Sequence, residues 1–241
     1  MSAARSRWWR LPGIQVTPIW HIFVGVAVVH LAAQLFGWQA VADLTQVLLM
    51  PALAFSVVAT GIRSPIVTWV LVALTLSWLG DSAPRIAEGD VAFLLMVVFF
   101  MLAQVAYLRA FFPLWRAWQA SRALRVAPLV AYGVVAVVLV VWCAPGAGAL
   151  LPAVVLYAVV LCAMATLAVS LGMHGLVGGA LFVISDGLIA IRSFTGFTPP
   201  LDDFVVMITY VAAQALLVEG ALRVVLRQDV QLTGRRPGPE R

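Results

Sequence analysis

Residues 178–190 read Gly-Gly-Ala-Leu-Phe-Val-Ile-Ser-Asp-Gly-Leu-Ile-Ala, and they occupy the middle of an apolar stretch at about 174–192. A helix needs roughly 20 predominantly apolar residues to cross the hydrocarbon core of a membrane, so this stretch predicts a transmembrane helix. Glycines recur along it at multiples of four, at Gly175, Gly179 and Gly187. Such a stripe of small residues allows neighbouring helices to approach closely. We therefore expect this helix to lie centrally in a bundle, with Asp186 facing the interior.

Seven further stretches have a similar length and apolar character. They lie at about 18–36, 41–60, 65–81, 90–112, 126–143, 148–169 and 203–224. Hydrophobic residues make up 63% of the chain and charged residues only 10%, whereas a soluble domain carries about 25% charged residues. The short breaks are rich in Gly, Pro, Ser and Arg, which is typical of turns. The sequence thus predicts an all-α, polytopic transmembrane bundle of eight spans, forming one domain over residues 18–225.

The distribution of basic residues predicts the orientation of this bundle. All 15 are arginines, and with the N-terminus inside, 13 fall on the cytoplasmic side and only Arg85 and Arg192 fall outside. Cytoplasmic loops are enriched in Lys and Arg, so both termini are expected in the cytoplasm of a multi-pass cell-membrane protein. The termini are a basic segment at 1–17 and a disordered tail at 226–241. A count of seven spans would place the five C-terminal arginines outside.

Charge and cysteine content point away from several other classes of protein. The arginine bias accounts for the net charge of +5, so no nucleic-acid partner is expected. The two cysteines, Cys143 and Cys162, lie inside apolar stretches and are most simply packing residues. No Cys/His cluster has the spacing of a metal site. We expect neither a metal nor a cofactor, and the sequence does not indicate an oligomeric state.

Two aspartates stand within predicted spans, where an ionisable side chain is costly and is by default a functional candidate. Asp81 ends the third span and Asp186 lies within the seventh. Counted from Pro65 and His174 at 1.5 Å per residue, the two lie at depths of roughly 24 and 18 Å, so they can face one cavity. The alternatives are an interfacial carboxylate for Asp81 and a structural hydrogen bond to a neighbouring helix for Asp186.

Uncharged polar residues form a second candidate set. Gln104 and Tyr107 share a face of the fourth span, and Tyr210 and Gln214 share a face of the eighth. Gln46 lies in the second span, and Ser185 directly precedes Asp186. Hydrogen bonds between helices are the alternative reading of each residue taken singly. Together with the aspartates, these side chains predict a polar interior that binds a substrate.

The chain resembles the lysoplasmalogenase (YhhN-like) family of eight-helix membrane proteins. The resemblance is carried by residues 178–190, Gly80-Asp81, Thr209-Tyr210 with Gln214, and Leu48-Leu49-Met50-Pro51. It implies hydrolysis of the vinyl ether bond of lysoplasmalogens, which releases a fatty aldehyde and glycerophosphocholine or glycerophosphoethanolamine. It also matches Asp81 and Asp186 to the two intramembrane aspartates of the family.

The chain departs from the family pattern at two positions. Gln46-Val47 stands where the family usually has Lys-Pro, and Gln104 stands where it commonly has His. The changes remove a cation and an imidazole from the groups available for headgroup binding and proton transfer.

Vinyl ether hydrolysis is acid-catalysed, and it passes through an oxocarbenium ion that water attacks. It needs one protonated carboxyl group and one carboxylate, the division of labour that glycosidases use for a related cation. Burial in an apolar medium and a nearby carboxylate both favour the protonated form. We assign Asp186 as the acid and Asp81 as the carboxylate, and the reverse assignment stays open. The polar side chains would hold water, the ether oxygen or the glycerol of a lysophospholipid whose single chain lies among Val, Leu and Phe residues.

Three other functions remain open from the sequence. A transporter or channel could use intramembrane aspartates for protons or cations, but we see no clear inverted repeat or broken helix. An intramembrane aspartyl protease needs Gly-x-Gly-Asp and Tyr-Asp, whereas Trp78 stands where the first glycine should be and neither aspartate follows a tyrosine. A non-catalytic relative that binds lipids is the third alternative. The headgroup preference and the natural substrate are not readable from the sequence.

Overall fold

Helices dominate this chain because backbone N–H and C=O groups in lipid must be hydrogen-bonded within the protein, and an α-helix satisfies them within one segment. The computed structural model describes residues 20–233, and the regular elements within that range are all helical. The α-helices are α1 (Trp20–Phe36), α2 (Gln39–Ala59), α3 (Pro65–Ser82), α4 (Gly89–Ala117), α5 (Arg122–Ala147), α6 (Leu151–Ala168), α7 (Met173–Thr195) and α8 (Asp202–Thr233). Short 3-10 turns follow α3, α5 and α6. The predicted all-α class is confirmed.

Six segments of the described chain are long and apolar enough to cross a membrane. They are Gln39–Ala59, Pro65–Ile86, Val91–Ala117, Arg122–Leu171, Met173–Thr195 and Asp202–Val230, and α1 is a shorter apolar helix. The Arg122–Leu171 segment has 50 residues, which as one straight helix would be about 75 Å long, more than twice the roughly 30 Å hydrocarbon core. Instead it contains α5 and α6, which pack against each other around Gly148, whose φ is +48°. The chain is thus a multi-pass membrane protein.

The outer surface is apolar, as a lipid-facing surface must be. Valines on the outer face of α5 are more than half exposed, at Val134, Val137, Val138 and Val141. A contiguous apolar surface of this kind is suited to lipid contact and not to water. The two aspartates within the predicted spans face the interior of the bundle.

Three helices extend well beyond the stretches that hydropathy predicts. Helix α4 continues to Ala117 instead of ending near 112, α5 spans Arg122–Ala147 instead of 126–143, and α8 continues to Thr233. The boundary of the predicted disordered tail at 226 is therefore wrong, because residues 226–233 are helical. A helix does not have to end where it leaves the apolar layer, since polar residues such as Arg227 and Gln228 are good helix formers. The predicted N-terminal segment 1–17 and residues 234–241 lie outside the described residues.

Helix α7 lies where the glycine stripe predicts, packed against α5, α6 and α8. A Cβ atom on Gly175 would overlap the main-chain oxygen of Ala168, and one on Gly179 would lie 3.1 Å from Cα of Ala165. On the other side, a Cβ on Gly178 would lie 3.2 Å from the main-chain oxygen of Ala213 in α8. These contacts hold α7 close to its neighbours and fix the position of Asp186.

Candidate active site

Asp81 and Asp186 line the same cavity inside the bundle. This polar cavity has a volume of about 310 Å³ and lies among α1, α2, α3, α4, α7 and α8. Its other lining residues include Gln46, Ser185 and Tyr210. Five of the residues predicted for the site therefore meet in one space, although they come from four helices far apart in the chain.

Asp81 lies at the C-terminal end of α3, and only 8% of its surface is exposed. The Tyr210 hydroxyl donates a hydrogen bond of 2.9 Å to its Oδ2 atom. The Nε2 atom of Gln46 donates a longer bond of 3.4 Å to its Oδ1 atom. Both donors stabilise a negative charge on Asp81.

Gly80 permits the packing that positions Tyr210. A Cβ atom on Gly80 would lie 2.8 Å from the Phe100 ring, closer than carbon atoms can pack. The Phe100 ring in turn packs edge to face against the Tyr210 ring, with centroids 5.7 Å apart. Phe182 packs against Tyr210 in the same way, also at 5.7 Å. The Tyr210 hydroxyl is thus held toward Asp81 by two aromatic contacts.

Asp186 lies on α7 and accepts a hydrogen bond from the hydroxyl of Tyr157, a residue of α6. Ser185 donates a 3.1 Å hydrogen bond to the main-chain oxygen of Val206, which ties α7 to α8 beside the aspartate. Gln104 lies next to Tyr157. It is fully buried.

Three of the predicted site residues lie behind the cavity. Tyr107 and Gln214 are fully buried and hydrogen-bonded to each other, and the Nε2 atom of Gln214 donates a 3.0 Å bond to the Ser77 hydroxyl. Neither they nor Gln104 is among the residues that line the cavity. In this structure Tyr107 and Gln214 connect α3, α4 and α8, a position suited to support and not to direct contact with a substrate.

Tyr157 is a site residue that the sequence analysis did not identify. It is one of four tyrosines in the chain, and apart from Thr166 it is the only hydroxyl-bearing residue of the largely apolar α6. A buried tyrosine hydroxyl usually finds a hydrogen-bond partner. This rule could have identified Tyr157 as a candidate from the sequence, although the sequence does not show that its hydrogen-bond partner is Asp186.

A second, apolar cavity of about 80 Å³ adjoins the polar one. It is enclosed by α4, α5, α6 and α7, and Tyr157 is part of its wall. The two cavities share the lining residues Met96, Phe100, Asp186 and Ile189. Asp186 therefore lies where a polar and an apolar space meet.

Two arginines complete the wall of the polar cavity. Arg85 donates to Asp43 Oδ1 at 2.9 Å and to Gln46 Oε1 at 2.9 Å. Arg192 donates to Asp202 Oδ2 at 2.8 Å and to Asp203 Oδ1 at 2.7 Å. In the sequence these two arginines are the exceptions to the cytoplasmic arginine bias, and their predicted position on the outer side is the signal that could have identified them.

The described residues contain no group of three or more His, Cys, Asp or Glu side chains that could hold a metal ion. The cavity instead offers a pair of carboxylates, each with a tyrosine hydroxyl as hydrogen-bond donor. Such a pair can exchange protons with a bound substrate and with water.

Comparison with known proteins found no significantly similar curated protein and no significantly similar solved structure. A family model does match, over residues 41–221. The match covers about three quarters of the chain, extends from α2 into α8 and includes both aspartates of the polar cavity. The resemblance noted in the sequence is confirmed, and the chain belongs to the YhhN family, the family of lysoplasmalogenases.

Proposed function

We propose that this protein hydrolyses the vinyl ether bond of lysoplasmalogens, giving a fatty aldehyde and glycerophosphocholine or glycerophosphoethanolamine. The observation that carries the proposal is the pair Asp81 and Asp186 in the wall of one cavity within the membrane domain. Membership of the YhhN family supports the same reaction.

In the proposed reaction, Asp186 is the acid and Asp81 is the carboxylate. Asp81 accepts hydrogen bonds from two donors, Tyr210 and Gln46, which favours its ionised form. Asp186 borders the apolar cavity, where the neutral form of a carboxyl group is favoured. The two carboxyl groups would titrate as a coupled pair, so the assignment describes one protonation state of the pair.

Water is the only reactant that this hydrolysis needs besides the vinyl ether and the two aspartates. Asp186 transfers its proton to the β-carbon of the vinyl ether, and the resulting oxocarbenium ion is stabilised by the Asp81 carboxylate. Water attacks the carbon that bears the ether oxygen and gives a proton to Asp81. Asp81 then protonates the glycerol oxygen as the hemiacetal C–O bond breaks, and the ionised Asp186 accepts the hemiacetal hydroxyl proton. The products are an aldehyde and an alcohol, and both aspartates return to their starting states.

The two cavities suit the two halves of this substrate. The reactive end of the fatty chain would lie in the apolar cavity among α4, α5, α6 and α7, and the glycerol would lie in the polar cavity. The vinyl ether joins these halves, and Asp186 lies where the cavities meet. A protein that only relays ions has no need of the apolar cavity.

We further propose that the eight α-helices described over residues 20–233 are eight spans of the cell membrane, with both termini in the cytoplasm. The excess of cytoplasmic arginines favours this orientation. It places the end of α3 and the following 3-10 turn, and hence the polar cavity, toward the outer side.

Aldehyde release from lysoplasmalogen by the purified protein tests the proposal. Asp81→Asn and Asp186→Asn are each expected to reduce aldehyde release to background, because each removes a group that must gain or lose a proton. Asp229→Asn is the control, since it removes an exposed carboxylate on α8 far from the cavity. Full activity in either cavity variant would rule out the two-carboxylate mechanism. Lipid binding without turnover by the wild-type protein would instead identify a non-catalytic relative.

A further inference from the structure

Arg85 and Arg192 line the polar cavity but have no part in the proposed chemistry. We propose that these two arginines bind the phosphate group of the lysophospholipid substrate and so select phosphate-bearing vinyl ethers over neutral ones. The inference rests on the proposed function, because it assigns the headgroup end of the same substrate site.

The arginines lie at suitable positions relative to the aspartates. The Nε atom of Arg85 donates to the main-chain oxygen of Asp81 at 3.3 Å, so its guanidinium lies beside the C-terminal end of α3. Arg192 follows Asp186 by six residues on α7, which is about 9 Å along the helix axis. In a lysoplasmalogen the glycerol backbone separates the ether oxygen from the phosphate. A vinyl ether at Asp186 would thus place the phosphate toward the arginine end of the cavity.

Both guanidinium groups keep donors for a ligand. A guanidinium has five N–H donors in a planar fork that matches phosphate oxygens. Arg85 uses one donor each on Nε, Nη1 and Nη2 for its bonds to Asp81, Asp43 and Gln46. Both side-chain bonds of Arg192 come from its Nη1 atom. The two side chains are 31% and 37% exposed, so they are accessible from the cavity.

A bound phosphate can replace the exposed carboxylates that now pair with Arg85 and Arg192. The side chains of Asp43 and Asp203 are 55% and 67% exposed, and exposed ion pairs contribute little free energy. Asp202 is different, because its side chain is only 5% exposed; it holds Arg192 in place. The exposed pairs keep the guanidinium groups extended in the absence of substrate.

Gln46 links the proposed phosphate site to the carboxylate. Its Oε1 atom accepts from Arg85, while its Nε2 atom donates to Asp81. A phosphate bound to Arg85 would therefore change the hydrogen bond between Arg85 and Gln46, and Gln46 also donates to Asp81. This arrangement couples headgroup binding to the position of the catalytic group.

The test compares two substrates that share the vinyl ether and differ in the phosphate. Lysoplasmenylethanolamine carries the phosphate, and 1-O-alkenylglycerol does not. In Arg85→Gln and Arg192→Gln we expect the ratio of kcat/KM for the first substrate to that for the second to fall about tenfold or more, the size expected for losing a hydrogen bond to a charged group. Arg85→Lys should recover part of the ratio, because it keeps the charge without the fork. Arg63→Gln, which removes an exposed arginine at the opposite end of α3, is the matched control.

An unchanged ratio in both arginine variants would overturn the inference. Arg192→Gln leaves the buried Asp202 without its cation, so that variant could lose activity through misfolding. Asp43→Asn avoids this problem, because it keeps both arginines and removes only an exposed partner of Arg85. It frees Arg85 from one exposed ion pair and should lower the KM for the phosphate-bearing substrate by about two- to fivefold. A higher or unchanged KM would argue against a phosphate at Arg85.

A binding measurement separates failure of this inference from failure of the proposed function. The probe is 1-O-alkyl lysophosphoethanolamine, whose saturated ether is not a vinyl ether. If the wild-type protein hydrolyses neither vinyl ether, the proposed reaction is wrong, yet weaker binding of this probe to Arg85→Gln than to Arg63→Gln still supports the arginine site. Equal binding overturns it. Inorganic phosphate and unlabelled 1-O-alkyl lysophosphoethanolamine are then compared as competitors of the probe. Displacement by inorganic phosphate shows that the phosphate itself is recognised, whereas displacement by the lipid but not by phosphate assigns recognition to the complete headgroup.

Discussion

Replacement of Tyr210 by phenylalanine removes the stronger of the two hydrogen bonds to Asp81 and leaves the aromatic ring in place. The bond from the Tyr210 hydroxyl to Oδ2 is 2.9 Å long, whereas the Gln46 bond to Oδ1 is 3.4 Å. A hydrogen bond to a charged group contributes about 1.5–3 kcal/mol. The ionised Asp81 must stabilise the oxocarbenium-like transition state. If the transition state loses this hydrogen bond, the rate falls about 10- to 150-fold, since about 1.4 kcal/mol corresponds to a factor of ten.

The ring contacts separate this effect from a loss of folding. Phe100 and Phe182 each pack edge to face on the Tyr210 ring, and a phenylalanine ring keeps both contacts. We therefore expect Tyr210→Phe to fold and to lose no more stability than its one hydrogen bond contributes, about 1.5–3 kcal/mol, while kcat for aldehyde release falls and KM changes little. Steady-state kinetics on lysoplasmalogen in detergent or liposomes measure both constants.

Tyr132→Phe is the matched control. The Tyr132 hydroxyl is also buried, but its bond of 3.4 Å goes to the main-chain oxygen of Leu176, and Tyr132 lines neither cavity. Its variant should retain nearly wild-type kcat. A Tyr210→Phe protein that is as active as Tyr132→Phe would refute the argument that Tyr210 prepares Asp81 for catalysis.

Three further predictions concern packing, the lipid chain and topology. Gly80→Ala should lower stability by about 1–3 kcal/mol, as overpacking does, because the new Cβ meets the Phe100 ring; a thermal unfolding scan checks this. Ala158→Leu narrows the apolar cavity and should raise KM for long-chain substrates more than for short ones, measured over a chain-length series. Cysteines introduced in the loop between α3 and α4 should react with an impermeant maleimide added outside intact cells, and those between α4 and α5 should not; the reverse pattern contradicts the proposed orientation.

The membrane-spanning helices could be read from the sequence because each helix in lipid satisfies its own backbone hydrogen bonds. Local apolar length therefore predicted where they occur, and the regions of α3 and α7 match the predicted stretches within about three residues. The ends of α4, α5 and α8 were predicted less well. Hydropathy detects where a chain leaves lipid, whereas a helix ends where its cap or its propensity ends it.

The two aspartates could also be nominated from the sequence, since an ionisable group within a span is costly and needs a reason. The supporting set was predicted less completely. Tyr210 lines the cavity next to Asp81, but Tyr107 and Gln214 lie in the packed interior behind it. Tyr210 and Gln214 share a face of α8 but lie about 6 Å apart along its axis, and only Tyr210 lies at the level of the cavity. Helical spacing predicts which residues share a face, but it does not show at which level along the helices a cavity opens.

The order and apolar character of the helices, and the presence of two carboxylates within them, were determined by the sequence alone, because they depend on residues close together in the chain. Only the tertiary structure decided that Asp81 and Asp186 share one cavity, that Tyr157 bonds to Asp186, and that an apolar cavity adjoins it. These relations depend on how α3, α6, α7 and α8 pack. That packing is set by many small contacts, such as those of Gly175 and Gly179 with α6, whose partners lie elsewhere in the chain and are not encoded in any local pattern.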